Sequence, residues 1–580
     1  MRRYLIMIFF LFLILGCRIG APNPVDSVIP SSTITPIPPS ATFTLPAPTF
    51  TLTPTLVPTL QVTTPAPAAS NTPVPLAEPF TTYYHPEDVL YVGDQVSMEV
   101  ISPDGVDVKD ANLSIQVDPP TGPTLGPVNF GAWGIQGRYQ ATLLWVWDTR
   151  NLAPGSHDLT FSVQPQGYSW TEQVTLLPAS DMPPDQADAE WATTQTQCCT
   201  VFYITNTASE RDLPELTALI DEQARISIEE MSADFSQPIT ITILPRLLGH
   251  GGFTSDEISV SYLDRNYAAN SWEMVVHHEM IHSIDGRLGG DFRPTIFVEG
   301  LAVYMAGGHF KPEPLMPRAA ALLDNYLDWY LPLQALADDF YASQHEIGYL
   351  EAASLIEYMV NTYGWDAYSA FYRDIHAQNG GSQSDAIDAA LQTHFNLSFA
   401  QLEQDFIAAL RNQADAAAWS DDVRLTVTFF DTMRRYQQLL DPSAYFRTAW
   451  LMDNRAMRQR GIVADYLRHP HTPANLALET LFVTTSDQMV IQHFHEADQT
   501  LAVINSVLDA IEHGTTDPFS VSPLAADYLS ISAYLLQAGY EVQSIELDTD
   551  TASVNATNST GPELIELHLQ RTGGQWSLSP

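Results

Sequence analysis

The run Val275-Val276-His277-His278-Glu279-Met280-Ile281-His282 restricts this chain more than any other stretch. Residues four apart share one face of an α-helix, so a helix here lets the imidazoles of His278 and His282 converge on one metal ion. Glu279 stands beside the first of them and can serve as general base toward a water at the metal. A catalytic zinc takes three protein ligands and keeps one position open. The rest of the chain therefore has to bring a third donor to this face.

Three positions compete for that place. A metzincin-like third histidine falls at 288, but that residue is Leu288, and the glycine expected at 285 is Asp285. Asp285 itself lies about one turn past His282, and a short carboxylate on the same helix closes the coordination geometry poorly. Glu299, in Phe297-Val298-Glu299-Gly300-Leu301-Ala302-Val303-Tyr304, is the best candidate. No cysteine-based site is available. Beyond Cys17, the only cysteines are the neighbours Cys198 and Cys199, which are expected to be buried strand thiols because a ring that small strains the backbone.

At 580 residues the chain is too long for a single core and predicts three or four domains. Asp and Glu outnumber Lys and Arg 68 to 25, for a formal net charge of −43. Such a surface repels phosphate backbones, so nucleic acid is not an expected partner.

The pattern along the chain changes several times. Arg2 and Arg3 precede an apolar run from Tyr4 to Leu15 that is too short for a comfortable membrane span. It ends in Ile14-Leu15-Gly16-Cys17, which resembles the lipobox of bacterial lipoproteins. That resemblance implies a signal peptide over 1–17, a lipid on Cys17 and an extracytoplasmic, membrane-anchored protein. Residues 18–79 are rich in Thr and Pro and read as a semi-extended tether, with an upper reach on the order of 150–180 Å at about 3.1 Å per residue.

From 80 to 180 the period becomes two. Val96, Met98 and Val100 alternate with polar neighbours, as do Leu113, Ile115 and Val117. Tyr139, Ala141, Leu143, Trp145 and Trp147 repeat the pattern, followed by Leu159, Phe161 and Val163, and then Trp170, Val174 and Leu176. Short strands at this spacing predict an all-β sandwich. It resembles the Ig-like modules of bacterial surface proteins, with a spacer or interaction role.

Residues 185–415 mix the two periods. Strands are expected at Cys199 to Ile204, Ile239 to Ile243 and Ile258 to Tyr262, and a helix along Leu216, Ile220, Ala224 and Met231. Asn270, with Glu273 three residues on, is expected to cap the HExxH helix. The chain is helix-rich from Pro294 onward. Residues 420–580 begin helical, including Tyr445 to Arg460, and end in alternating runs joined at Gly573-Gly574. This C-terminal α+β region carries no assignable chemistry.

The central segment is similar to the gluzincin zinc peptidases, and within them to the peptidase MA-like family. The similarity rests on His278-Glu279-Met280-Ile281-His282, on Glu299-Gly300-Leu301-Ala302, and on Tyr349 followed by a helix ending in Tyr363-Gly364. The stretch from Asn396 to Phe406 also fits the family's last helix, so the resemblance spans roughly residues 195–411. It implies an α+β zincin-like domain, with a small mixed sheet and a mostly helical second lobe. His278, His282 and Glu299 would bind Zn2+, Glu279 would act as base, and Tyr349 would hydrogen-bond the oxyanion. Gly300 would allow close helix packing. An extended peptide or protein substrate would lie along Ile258–Tyr262 as the sheet edge.

Two departures stand out. The upstream G-x-M-E-N element of related aminopeptidases is replaced by Gly249-His250-Gly251-Gly252-Phe253, without its glutamate, so exopeptidase activity gains no support. Where thermolysin relatives place an aspartate to orient a histidine, this chain has Val303, which leaves Asp285 or Asp291 as substitutes. His277 reads as a surface or packing residue and His250 as a loop residue. The alternative to a peptidase is a catalytically silent binding or scaffolding lipoprotein, although such a protein has no need of Glu279.

Overall fold

The alternating runs of the N-terminal part form strands β1 (Thr81–His85), β2 (Leu90–Tyr91), β3 (Gln95–Ile101), β4 (Asn112–Val117), β5 (Thr124–Asn129), β6 (Gly131–Trp133), β7 (Arg138–Asp148), β8 (Gly155–Gln164) and β9 (Tyr168–Leu177). The computed structural model describes residues 80–579 apart from 234, 236–237, 289, 378–380 and 559. The leader, Cys17 and the Thr/Pro-rich stretch lie outside the described residues.

These strands make two sheets, ordered β1-β3-β7-β6 and β2-β9-β8-β4-β5. Val96, Met98 and Val100 of one sheet share a core with Leu113, Ile115, Leu159 and Phe161 of the other. Each side chain so buried contributes roughly 1.5–3 kcal/mol. The alternation fails at one place in β7. The register slips so that Val96 faces Trp147 while Met98 faces Leu143. Trp145, at φ +51°, then leaves the inter-sheet core and joins a cluster with Trp450, Met457 and Tyr466. A bulge of this kind flips the face of every residue within it.

A third sheet holds β10 (Trp191–Gln195), β11 (Cys199–Ile204), β12 (Ile239–Leu244), β13 (Gly252–Thr254) and β14 (Ile258–Ser261), in the order β10-β11-β12-β14-β13. The three inner strands run parallel, and β10 and β13 pair antiparallel at the two margins. The Ile258 strand is thus interior, contrary to the edge position that the resemblance implies, and the margin is the three-residue Gly252–Thr254. The helix Leu213–Met231 and the HExxH helix, Trp272–Arg287, cover this sheet through Leu216, Ile220, Ala224, Val276 and Met280.

Cys198 and Cys199 are joined by a disulfide, not held as free thiols. Cys198 lies in the turn entering β11 and Cys199 is the first residue of that strand, and the Asp221 carboxylate accepts the backbone N–H groups of Gln197 and Cys198, each at 3.1 Å. The constraint thus falls at the strand's end and not within it. Alkylation of the denatured, unreduced chain is expected to label neither Cys198 nor Cys199, and reduction should expose both. Labelling of either before reduction, read by peptide mass, would contradict the pairing.

The helices Thr295–Ala306 and His345–Tyr363 form the centre of a helical core with Phe297, Leu301, Ala352 and Leu355. The long helix Ala416–Leu440 bridges two cores. Ala416, Val423 and Val427 face this one, and Phe429, Met433 and Tyr436 face the next, which also takes in Leu247 and Tyr267. That last core is completed by the helices Pro473–Val490, Phe494–Glu512 and Pro523–Gln537. A meander of β15 (Tyr540–Leu547), β16 (Thr551–Asn558), β17 (Gly561–Thr572) and β18 (Gln575–Leu578) packs with them. Between Tyr445 and Arg460, where a continuous helix is expected, the chain forms only the 3-10 turn Phe446–Thr448 and the short helix Asn454–Arg460. Trp450, Met452 and Met457 there pack against the sheet through Ile204 and Leu244, a demand that a straight helix does not meet.

Candidate metal centre and cleft

His278 and His282 lie one turn apart on the HExxH helix, and their Nε2 atoms face each other at 2.9 Å. Glu299 comes from the next helix, with Oε2 at 3.5 Å from His278 Nε2 and 3.3 Å from His282 Nε2. Zinc–nitrogen and zinc–oxygen bonds of about 2.0–2.2 Å in a tetrahedron require donor separations of roughly 3.3 Å. The three donors therefore fit a zinc ion in number, type and spacing. Burial pushes the Glu299 carboxyl up, but the two imidazoles outweigh it and hold the group well below the usual carboxylate range. Burial lowers His282, yet Glu299 dominates and lifts it to about 9.

The helix carrying these histidines is not capped by Asn270. Ser271 accepts the Met274 N–H, while Asn270 donates its side-chain amide to the His250 carbonyl. Asn270 thereby ties the helix entrance to the loop before β13. Glu279 is 5% exposed, and its Oε2 accepts the Thr254 hydroxyl at 2.6 Å, so the margin strand itself orients the general-base candidate. A Cβ on Gly252 would stand 2.9 Å from Glu279 Oε1 and 2.5 Å from Val275 Cγ1. Only glycine leaves that oxygen uncovered.

Glu299 Oε1 accepts the Tyr341 hydroxyl at 2.7 Å, which fixes the carboxylate's rotation. Tyr349 stands in the same cleft, with its ring stacked on His309 at 4.2 Å. Burial raises its phenol well above the usual range and Glu299 raises it further, so it remains a donor. Neither Tyr341 nor Thr254 had a sequence signal. Each belongs to a short element, one a 3-10 turn and the other a three-residue strand, where periodicity is silent.

The remaining candidates separate cleanly. His277 is buried and bridges to the neighbouring helix, bonding Gln223 Oε1 at 2.9 Å and Glu230 Oε2 at 3.0 Å. Asp285 accepts from Tyr372 at 2.9 Å and Arg293 at 3.0 Å, and Asp291 pairs with His376. Among the described residues His282 Nδ1 has no hydrogen-bond partner, so neither aspartate orients it.

His250 is no ordinary loop residue. Its ring stacks on His345 at 4.1 Å with an interplanar angle of 8°, beside Glu346. A metal lies in the plane of an imidazole that binds it, so two stacked, parallel rings cannot serve one ion. Glu346 is moreover held by both Nη atoms of Arg434, at 2.8 and 2.7 Å. His250 and His345 line the cleft, while Glu346 lines a separate small hollow.

The cleft has a volume of ≈ 160 Å³ and joins His278, Glu279, His282 and Glu299 to Tyr341, Tyr349 and Phe253. Another hollow of ≈ 560 Å³ shares Thr254 and His282 with it. The larger hollow of ≈ 670 Å³, between Ile101–Lys109 and the segment around Pro442, holds none of the metal donors. Size is thus no guide to the chemistry here.

No family model matches the chain, and no curated protein matches it. Among solved structures, an aminopeptidase N family protein from Idiomarina loihiensis aligns with a TM-score of 0.24 and 12% identity, over 58% of this chain and 72% of that chain. At that TM-score the likeness carries no argument about activity.

Proposed function

We propose that the chain is a zinc-dependent peptidase, with His278, His282 and Glu299 as metal ligands. The observation that carries this reading is the convergence of two imidazoles and a carboxylate at zinc-like spacing in a cleft that also holds an oriented, non-ligand glutamate. Zinc held by these three residues would supply Lewis acidity and make water a nucleophile near neutral pH. Thr254 occupies Glu279 Oε2 as a donor, which leaves Oε1 to take a proton and later return it to the leaving amine. Tyr349 stands beside Tyr341 and Glu299 in the cleft and is the phenol that would donate to the developing oxyanion. The margin strand Gly252–Thr254 offers backbone groups for an extended peptide, which corrects the sheet edge expected at Ile258–Tyr262.

In the same reading the paired N-terminal sheets are an Ig-like module, and the mixed sheet with its helical lobe is a zincin-like domain. A lipid on Cys17 would hold the protein on the outer side of a membrane. No described helix is long and apolar enough to cross one.

Metal analysis of the purified chain is expected to find one zinc per chain. His282→Ala should abolish it, and a mixed peptide library should be cut only by the loaded protein. A zinc-loaded protein that cuts nothing in the library would favour the silent scaffold instead.

A further inference from the structure

The N-terminal β-domain does not stand apart from the cleft. The turn between β6 and β7, Gly134-Ile135-Gln136-Gly137, reaches the metal centre, and Ile135 lines the same cleft as Glu279 and Tyr349. Ile135 is 47% exposed, so its side chain is open to a ligand entering the cleft. The turn is also seated firmly. Gln136 N–H donates to the Arg447 carbonyl at 3.2 Å, and Arg138 Nη1 donates to Thr448 Oγ1 at 3.1 Å. Gly134, at φ +68°, lies so close that a Cβ would stand 2.3 Å from the Arg447 oxygen. The adjacent Phe446 lines the cleft opposite, with its ring against His250 and His345.

We infer that Ile135, with Phe253 and Phe446, forms a substrate side-chain subsite, and that this subsite selects peptides bearing a large apolar, best aromatic, residue beside the cleaved bond. The inference rests on the peptidase reading and adds its substrate class. The walls offer aromatic and aliphatic carbon plus the His250 and His345 rings, whose unpartnered nitrogens carry no fixed charge partner. A charged substrate side chain would give up its hydration there, and the unpartnered nitrogens of His250 and His345 would replace only part of it. A domain that looks like a spacer in the sequence thus sets specificity.

The test uses the zinc-loaded full chain, with a benzyl-bearing peptide hydroxamate and acetohydroxamate as probes. Both chelate zinc, and only the first reaches the subsite. Ile135→Asp is expected to weaken the benzyl hydroxamate by about tenfold or more, while acetohydroxamate binding and zinc content stay unchanged. Ile135→Trp, which fills the space, should move the ratio of kcat/KM for Phe- over Ala-containing peptides toward Ala. An unchanged ratio of the two hydroxamates in both variants overturns the subsite while leaving the peptidase reading intact. If the wild-type protein holds zinc yet binds neither probe and cuts no peptide, the peptidase reading itself falls, and the subsite with it.

Discussion

Replacing Glu279 with Gln is expected to leave zinc in place while kcat/KM for peptide hydrolysis falls by at least about 10²–10⁴-fold, the range a positioned general base supplies. The separation follows from the geometry. Glu279 is not among the converging donors, so the metal keeps His278, His282 and Glu299. Glutamine fills the same space beside Gly252, and its carbonyl oxygen can still accept the Thr254 hydroxyl that now bonds Oε2 at 2.6 Å. What it cannot do is take a proton. Zinc content, thermal midpoint and initial rate on one fluorogenic peptide decide the matter together. Equal zinc and equal midpoint with a lost rate is the expected triad, whereas a variant keeping more than a tenth of the wild-type rate would remove Glu279 from the chemistry. A silent scaffold predicts no difference between the two proteins.

The parts of the site legible in the sequence are those written in helical spacing. His278 and His282 are four residues apart, and Glu299 sits in a helix whose neighbour is glycine; the structure brings all three together. Local pattern has no information on which strand of a sheet ends at its margin. Ile258–Ser261 alternates well and is interior, while Gly252–Thr254 has no pattern at all and borders the cleft. Thr254, Tyr341 and Ile135 enter the site through contacts between segments far apart in the chain, and each is an ordinary residue where it stands. Trp145 shows the same limit within one strand, since a bulge changes its face and the alternation does not announce the bulge. Ring strain argues against pairing neighbouring cysteines inside a regular strand, but Cys198 and Cys199 straddle the start of one.

Gly300→Ala is expected to weaken zinc binding by about 10–100-fold, the usual loss when the support behind a metal ligand is disturbed. Two effects of opposite sign compete. Alanine is the better helix former by up to about 1 kcal/mol, so propensity alone predicts a more stable protein. The added Cβ, however, would lie 2.8 Å from the carbonyl carbon and oxygen of Ala352 and 3.0 Å from its Cβ. Two of these three contacts are backbone, so no rotamer change relieves them, and the helices Thr295–Ala306 and His345–Tyr363 have to move apart. Overpacking of this kind costs about 1–3 kcal/mol and outweighs the propensity gain. The motion falls on function because Glu299 precedes Gly300 on one helix and Tyr349 rides on the other. A shift there lengthens the 3.3 and 3.5 Å donor separations and moves Glu299 away from Tyr341. Zinc affinity by competition with a chromophoric chelator, read beside the thermal midpoint of the metal-free chain, separates the two effects. Adding Ala352→Gly should restore only part of both, since it removes the Cβ contact and leaves the carbonyl. A metal-free midpoint that rises with unchanged zinc affinity would mean that propensity wins and that the close approach at Gly300 is not what places Glu299.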